Sequence, residues 1–183
     1  MDTTDSTLNS TSNSALPRIW IGMLPSSPIG RLWVAVTELG LMAVEWDMPQ
    51  TDFIHLLERR FHADVIYDET RTGEALNQLS EYLSGERHEF TIPLDLTGLS
   101  SFQVQALHLT SNIPYGQTCT YRDIATKMGK PKAARAVGRA EATNPIPLVI
   151  PCHRVLGSDG SLHGYGGPGG IKMKAWLLQL ERT

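Results

Sequence analysis

Three prolines crowd into residues 145–151, at Pro145, Pro147 and Pro151. Each fixes its own backbone dihedral and removes an amide donor. No helix can run through them, so residues 144–155 (Asn-Pro-Ile-Pro-Leu-Val-Ile-Pro-Cys-His-Arg-Val) read as extended chain between two helical regions. Leu148, Val149 and Ile150 read as a buried run from which Cys152 leaves the interior, with His153 and Arg154 directly behind it. A thiol becomes a useful nucleophile as its thiolate, which a neighbouring histidine or cation favours and apolar burial opposes. A free cysteine is equally a small core residue, inert once buried. Both readings stand on these residues alone.

Cys119 and Cys152 are the only cysteines, which excludes a disulfide framework and a four-thiolate zinc site. With 41% hydrophobic residues the chain can bury a core without such staples. No apolar run approaches the roughly 18 residues of a membrane-spanning helix. Residues 1–15 are rich in Ser, Thr, Asp and Asn and lack a secretory pattern, so 1–16 is expected to be a disordered tail.

Apolar stretches at 19–23, 31–37 and 41–46, parted by turn signals, predict an antiparallel meander. Thr51 is the expected cap of a helix carrying Phe53, Ile54, Leu56, Leu57 and Phe61. A strand is expected at 64–67, then a helix over 74–83 with Leu76, Leu79, Tyr82 and Leu83 on one face. Residues 17–97 thus read as an α/β unit in which nothing looks catalytic. An extended link over 89–99 leads to a mainly helical unit, 98–183. Ser100 or Ser101 caps its first helix, Thr120 opens a short one over 121–128, and 132–142 forms the next. Two short helices about a glycine-containing turn predict a helix-turn-helix. A last helix over 172–181 is expected to pack Trp176, Leu177, Leu178 and Leu180 into the core.

The net charge of −3 hides an asymmetry: residues 1–100 carry −9 and residues 101–183 carry +6. Such segregation fits either solvated surfaces or one half facing a polyanion. Within the basic half, Lys132, Ala133, Ala134, Arg135, Ala136, Val137, Gly138, Arg139 and Ala140 interleave small residues with long cations. Arg135 and Arg139 lie four apart on one face. A helix this thin fits the narrow minor groove of DNA, and it equally fits close packing on a neighbouring helix. Seven of the fourteen residues 157–170 are glycine, a loop able to bring backbone amides against a planar ligand, or a plain linker. His108 or His163 would have to serve as base in a thiol hydrolase, and no signature places either.

Taken together, the Pro151-Cys152-His153-Arg154 stretch resembles the active-site motif of the O6-alkylguanine-DNA alkyltransferases. Ile113-Pro114-Tyr115-Gly116, the Ala-Arg-Ala-Val-Gly helix and Lys174-Ala175-Trp176-Leu177-Leu178 follow in that family's order. The resemblance implies an RNase H-like N-terminal α/β domain of structural role and a C-terminal helix-turn-helix alkyltransferase domain. It implies that Cys152 accepts the alkyl group and that His153, through a water, and Glu181 draw off the thiol's proton. Tyr121 would orient a phosphate and donate to the departing guanine. Arg135 would fill the hole left by the extruded base, with Lys132, Ala134, Ala136, Gly138 and Arg139 also on DNA. Asn144 would brace the turn before the cysteine, while Val155, Tyr165 and Gly166 would line the alkylguanine pocket. The loop between Tyr165 and Lys174 is longer than the family's common form and lies against that pocket. The implied partner is double-stranded DNA carrying O6-alkylguanine, bound through the minor groove by a monomer. Single-turnover transfer would need no metal and no cofactor. The implied location is the cytoplasm, on the nucleoid if the source is bacterial, away from membranes.

Overall fold

The structure, a computed structural model, describes residues 16–182. The tail expected over 1–16 lies, Leu16 apart, outside the described residues. The meander forms as β1 (Arg18–Leu24), β2 (Leu32–Thr37) and β3 (Gly40–Trp46), with Trp20 opposite Val36 and Val34 opposite Val44. β4 (Asp64–Tyr67) joins beside β1 in parallel, giving the order β3-β2-β1-β4. The sheet is therefore mixed, which corrects the expectation of an antiparallel one. The cause is the connection: α1 (Gln50–Phe61) is a crossover from β3, and a helical crossover returns the chain parallel to the strand it left.

Period-2 alternation sends the strand residues to two cores. Trp20, Leu32, Val34 and Val36 face α2 (Glu69–Leu83) with its Leu76 and Leu79. Ile19, Ile21, Trp33 and Ala35 face Phe53 and Leu57 of α1. Both faces are covered, so the strands are mostly apolar on both sides. α1 starts after Pro49 with no side-chain cap, so Thr51 lies inside it. α2 begins a turn earlier than predicted, because the Asp68 carboxylate accepts from the Thr70 and Arg71 amides.

α3 (Ser101–Ser111) is closed by a capping box between Ser100 and Gln103, and α4 (Tyr121–Lys127) by one between Thr120 and Asp123. The chain turns at Gly129 (φ 70°) into α5 (Ala134–Ala142). Just before α4, β5 (Cys119–Thr120) pairs in parallel with β6 (Val155–Leu156), which sets the start of α4 beside the cysteine turn. The proline stretch departs from the extended form expected of it. Leu148 sits at φ 74° and the Ile150 amide donates to the Ile146 carbonyl at 2.9 Å, so the segment folds into a tight loop. The Asn144 side chain clips that loop, donating to Ile150 O at 2.9 Å and accepting from the Ile146 amide at 3.0 Å. Cys152–Arg154 then form one 3-10 turn, with all three residues buried. Cys152 does not leave the interior. α6 (Gly170–Leu180) buries Lys174 and Leu177 and leaves Trp176 36% exposed, against the expectation that Trp176 packs inside.

One core runs through both halves. Trp46, Leu79 and Tyr82 cluster with Leu107, Ile146, Leu148, Ile150 and Leu177, and the Val44 amide of β3 donates to Pro145 O at 2.9 Å. Leu79→Ala and Leu177→Ala are each expected to cost about 2–5 kcal/mol. In both variants, urea unfolding followed by tryptophan fluorescence and by far-UV circular dichroism should shift together. A transition that moves in one probe only would mean that the halves unfold separately.

Candidate active site

A buried carboxylate anchors the site. Glu181, just past α6, receives Tyr82 Oη on Oε1 at 2.7 Å and lies 2.7 Å from His153 Nε2. Arg154 donates through Nη2 to Oε1 and through Nε to Oε2, both at 2.9 Å, and the Gly116 amide reaches Oε2 at 3.2 Å. Arg154 Nη1 also donates to the Ile113 carbonyl. Burial alone would raise the Glu181 pKa, but donation from His153, Arg154 and Tyr82 brings it down to about 2. An ionised carboxylate so close to Nε2 requires a proton on that nitrogen. The basic nitrogen of His153 is therefore Nδ1, which is buried and has no protein partner. Burial holds the imidazole below its usual pKa, so it rests neutral at pH 7.

Cys152 is 5% exposed, and burial pushes its thiol up to about 12. Asn144, by hydrogen bonding, and Lys174, by charge, pull the other way without prevailing. The resting sulfur is a thiol, and Arg154 serves Glu181 rather than the sulfur. Lys174 is fully buried and donates from Nζ to Val155 O at 2.6 Å and to Tyr121 Oη at 3.5 Å. Burial lowers its pKa, opposed by the charges of Cys152 and Glu141. Glu141, buried on α5, accepts from Thr110 Oγ1 at 2.7 Å, and burial raises it to about 7. Burial likewise raises Tyr121 to about 12, leaving its phenol a proton donor. The Tyr165 hydroxyl is buried beside Cys152, and desolvation with the sulfur's charge raises it far above the ordinary tyrosine range.

In front of this floor lies a cavity of about 510 Å³ lined by Tyr121, Ala134, Arg135, Gly138, Tyr165 and Gly166, among others. Arg135 and Arg139 are exposed, as are Lys132 and Ala136. A Cβ at Gly138 would meet the Tyr121 ring at 3.8 Å, an ordinary contact, so no protein neighbour requires glycine there. Gly166 is different: a Cβ on it would collide with the Ala142 carbonyl, so this loop must approach α5 backbone to backbone. Val155 O already spends one lone pair on Lys174.

The structure thus brings Tyr121, Arg135, Gly138, Tyr165 and Gly166 to one cavity, with Cys152 behind the two tyrosines. His153 and Glu181 lie on the inner side with Tyr82 and Arg154. His108 is exposed on α3 and His163 pairs with Ser161 Oγ at 2.8 Å, so neither is held on the sulfur as a base. Cys119 is half-buried opposite Val155, its thiol raised by burial to about 11. Sequence reading missed Tyr82, Glu141 and Lys174. Lys174 precedes the buried Leu177 by three residues, a spacing that places it on the core stripe of α6. Tyr82 carries no comparable mark, since any core tyrosine on a helix looks the same.

Residues 23–96 match the family model described as 6-O-methylguanine DNA methyltransferase, ribonuclease-like domain, and residues 101–183 match its DNA binding domain. The chain is 42% identical over 158 residues to a methylated-DNA–protein-cysteine methyltransferase of Methanosarcina barkeri, covering 86% of this chain and 94% of that protein. It is 45% identical over 128 residues to the protein of that name from Mycobacterium leprae, covering 65% and 76%. A crystal structure of Mycobacterium tuberculosis OGT in complex with DNA superposes with a TM-score of 0.74 at 38% identity, covering 90% of this chain and 92% of the other.

The buried carboxylate makes acid stability testable. Glu181 titrates near 2 when folded and near 4.5 as a free side chain, so the unfolded chain binds the proton first as pH falls. Its stabilisation is complete above about pH 4.5 and is lost on the way down to 2. Glu181→Gln should flatten that part of the profile. It should also lower stability at pH 7 by about 3–5 kcal/mol, because Arg154 is left buried without a counter-charge. Urea titrations over pH 2–7 read both effects; an unchanged acid slope would show that Glu181 is not the group responsible.

Proposed function

Because the chain belongs to the 6-O-methylguanine DNA methyltransferase family, whose members transfer alkyl groups from damaged DNA to a cysteine of their own, we propose that Cys152 is the acceptor. It is a DNA-repair protein and a methyltransferase acting on DNA. The observation that carries the assignment is the buried thiol behind Tyr121 and Tyr165, with a neutral His153 whose free nitrogen is Nδ1.

The chemistry balances on these groups. The thiol's proton passes to His153 Nδ1, through a water, and Glu181 compensates the imidazolium. Sulfur then displaces the alkyl carbon from O6 of the guanine. The C–O bond breaks, and the purine takes a proton from Tyr121. Lys174, hydrogen-bonded to Tyr121 Oη, supports the phenolate until it is reprotonated. Net, carbon moves to sulfur and the thiol's proton ends on guanine. The thioether is stable to water, so each molecule acts once, and no step calls on a metal or cofactor. Val155 O and the Gly166 amide read the guanine edge, with Tyr165 forming the pocket wall and Asn144 bracing the loop beneath.

The lesion lies inside the duplex, so the base is flipped out at a cost of a few kcal/mol. In this reading α4 and α5 form a helix-turn-helix whose second helix enters the minor groove, thin at Ala134, Ala136 and Gly138. Lys132 and Arg139 meet phosphates, and Arg135 fills the vacated stack. The glycine at 138 supports this: it has no steric role inside the protein and faces the cavity. The protein acts as a monomer, its N-terminal unit, 17–97, supporting the catalytic one, 98–183.

Intact-protein mass spectrometry tests the acceptor. After incubation with duplex carrying O6-methylguanine, one methyl should appear on a peptide containing Cys152 and be absent in Cys152→Ala. Tight lesion binding without a mass gain would make the chain a damage-binding module. Repeated turnover of an ester would make it a thiol hydrolase. For flipping, Arg135→Ala should slow transfer from duplex by about 10-fold or more, equivalent to about 1.4 kcal/mol of barrier. It should leave reaction with free O6-benzylguanine nearly unchanged. Equal losses in both would remove Arg135 from flipping.

A further inference from the structure

Tyr82 carries a hydrogen bond from the N-terminal half into the reaction centre. The residue, near the end of α2, is fully buried, and its hydroxyl donates to Glu181 Oε1 at 2.7 Å while lying 3.2 Å from His153 Nε2. Its ring is fixed between Phe90, at 5.3 Å and tilted, and Tyr115, at 6.3 Å and edge-on. With its proton given to Glu181, Oη turns a lone pair toward Nε2, which reinforces the Nε2–H form. We propose that Tyr82 is a positioning residue that weakens the hold of Glu181 on His153 and so keeps the imidazole neutral and free to accept the thiol's proton. This rests on the reading of Cys152 as acceptor and His153 as its base.

The electrostatic balance around His153 explains why such a donor matters. Arg154 and Cys152 share its turn, Lys174 comes from α6, Glu181 follows α6, and Tyr82 faces it from α2. Arg154 and Lys174 oppose an imidazolium, while Glu181 favours one. Three side chains share Oε1, so each hydrogen bond that Tyr82 supplies drains charge that would otherwise pull a proton onto His153. A base already protonated at neutral pH cannot take the proton of Cys152. Remove the hydroxyl alone, and Glu181 becomes a fuller counter-ion; strengthen it as a donor, and the reverse follows.

The test compares wild type, Tyr82→Phe and a protein with 3-fluorotyrosine at position 82, a more acidic phenol and a stronger donor. Transfer from free O6-benzylguanine is timed by intact mass from pH 5 to 9, and the His153 ring is titrated by nitrogen-15 NMR. Tyr82→Phe should move the acid limb and the His153 titration upward by about half a pH unit. On the limb, transfer should be roughly threefold slower at fixed pH. The fluorinated protein should move both downward. A uniform loss of rate with no movement of either curve would reduce Tyr82 to packing, and movement in the opposite sense would overturn the proposal. Should Tyr82→Phe fail to fold by circular dichroism, the fluorinated protein decides alone, since it keeps ring and hydroxyl. If wild type gains no mass on Cys152, the acceptor assignment fails. If wild type transfers and the curves stay still, only the role of Tyr82 fails.

Discussion

The ion pair between Arg154 and Glu181 is the constraint around which the rest is arranged. Two charges taken from water are tolerated only when every donor and lone pair is matched, and here the matching partners come from distant parts of the chain. Ile113 and Gly116 come from the turn after α3, His153 from the cysteine turn, and Tyr82 from the N-terminal half. To satisfy Glu181, the chain must close the proline loop, dock α6 and bring α2 against both. The same closure seats Leu148, Ile150 and Leu177 in the core that holds Leu79. Stability and site geometry are one problem in this fold, because the residues that neutralise the buried carboxylate are those that orient the histidine.

Local sequence rules located most elements, and their failures share a cause. The helix starts at Ser100 and Thr120, the strand at 64–67 and the apolar runs of the meander depend on neighbours in sequence and were legible there. The direction of β4 was not, because it depends on α1 crossing two strands. The proline stretch was misjudged for a related reason. Proline fixes its own φ, yet the turn is made by Leu148 in a left-handed conformation that nothing in its composition announces. The site divides the same way. Cys152, Tyr121 and Arg135 stood out by motif, whereas Tyr82, Glu141 and Lys174 act through contacts 19 to 99 residues apart in the chain.

Sequence also left the thiol's state undecided, since burial and neighbouring bases pull it in opposite directions. In the folded chain desolvation prevails, and the cations that could have offset it are committed elsewhere: Arg154 to Glu181, and Lys174 to Val155 and Tyr121. A protonated, enclosed sulfur is protected from oxidation and stray electrophiles. On the proposed role of Cys152, its activation is coupled to occupancy of the pocket, where a bound purine brings carbon to sulfur while the thiol's proton passes to His153 on the inner side.

Such a design suits a protein that acts once. An enzyme that turns over must admit substrate and release product through the same opening, and a nucleophile sealed behind two tyrosines would slow both. A stoichiometric acceptor keeps its product. The methyl thioether is small and apolar, well suited to the desolvated floor that makes the resting thiol so weak an acid. What must leave is the DNA, which in the proposed reading meets Lys132, the exposed face of α5 and the loop bearing Gly166. Affinity can therefore reside in an exposed basic face and reactivity in a dry interior, with Tyr121 and Tyr165 as the boundary between them.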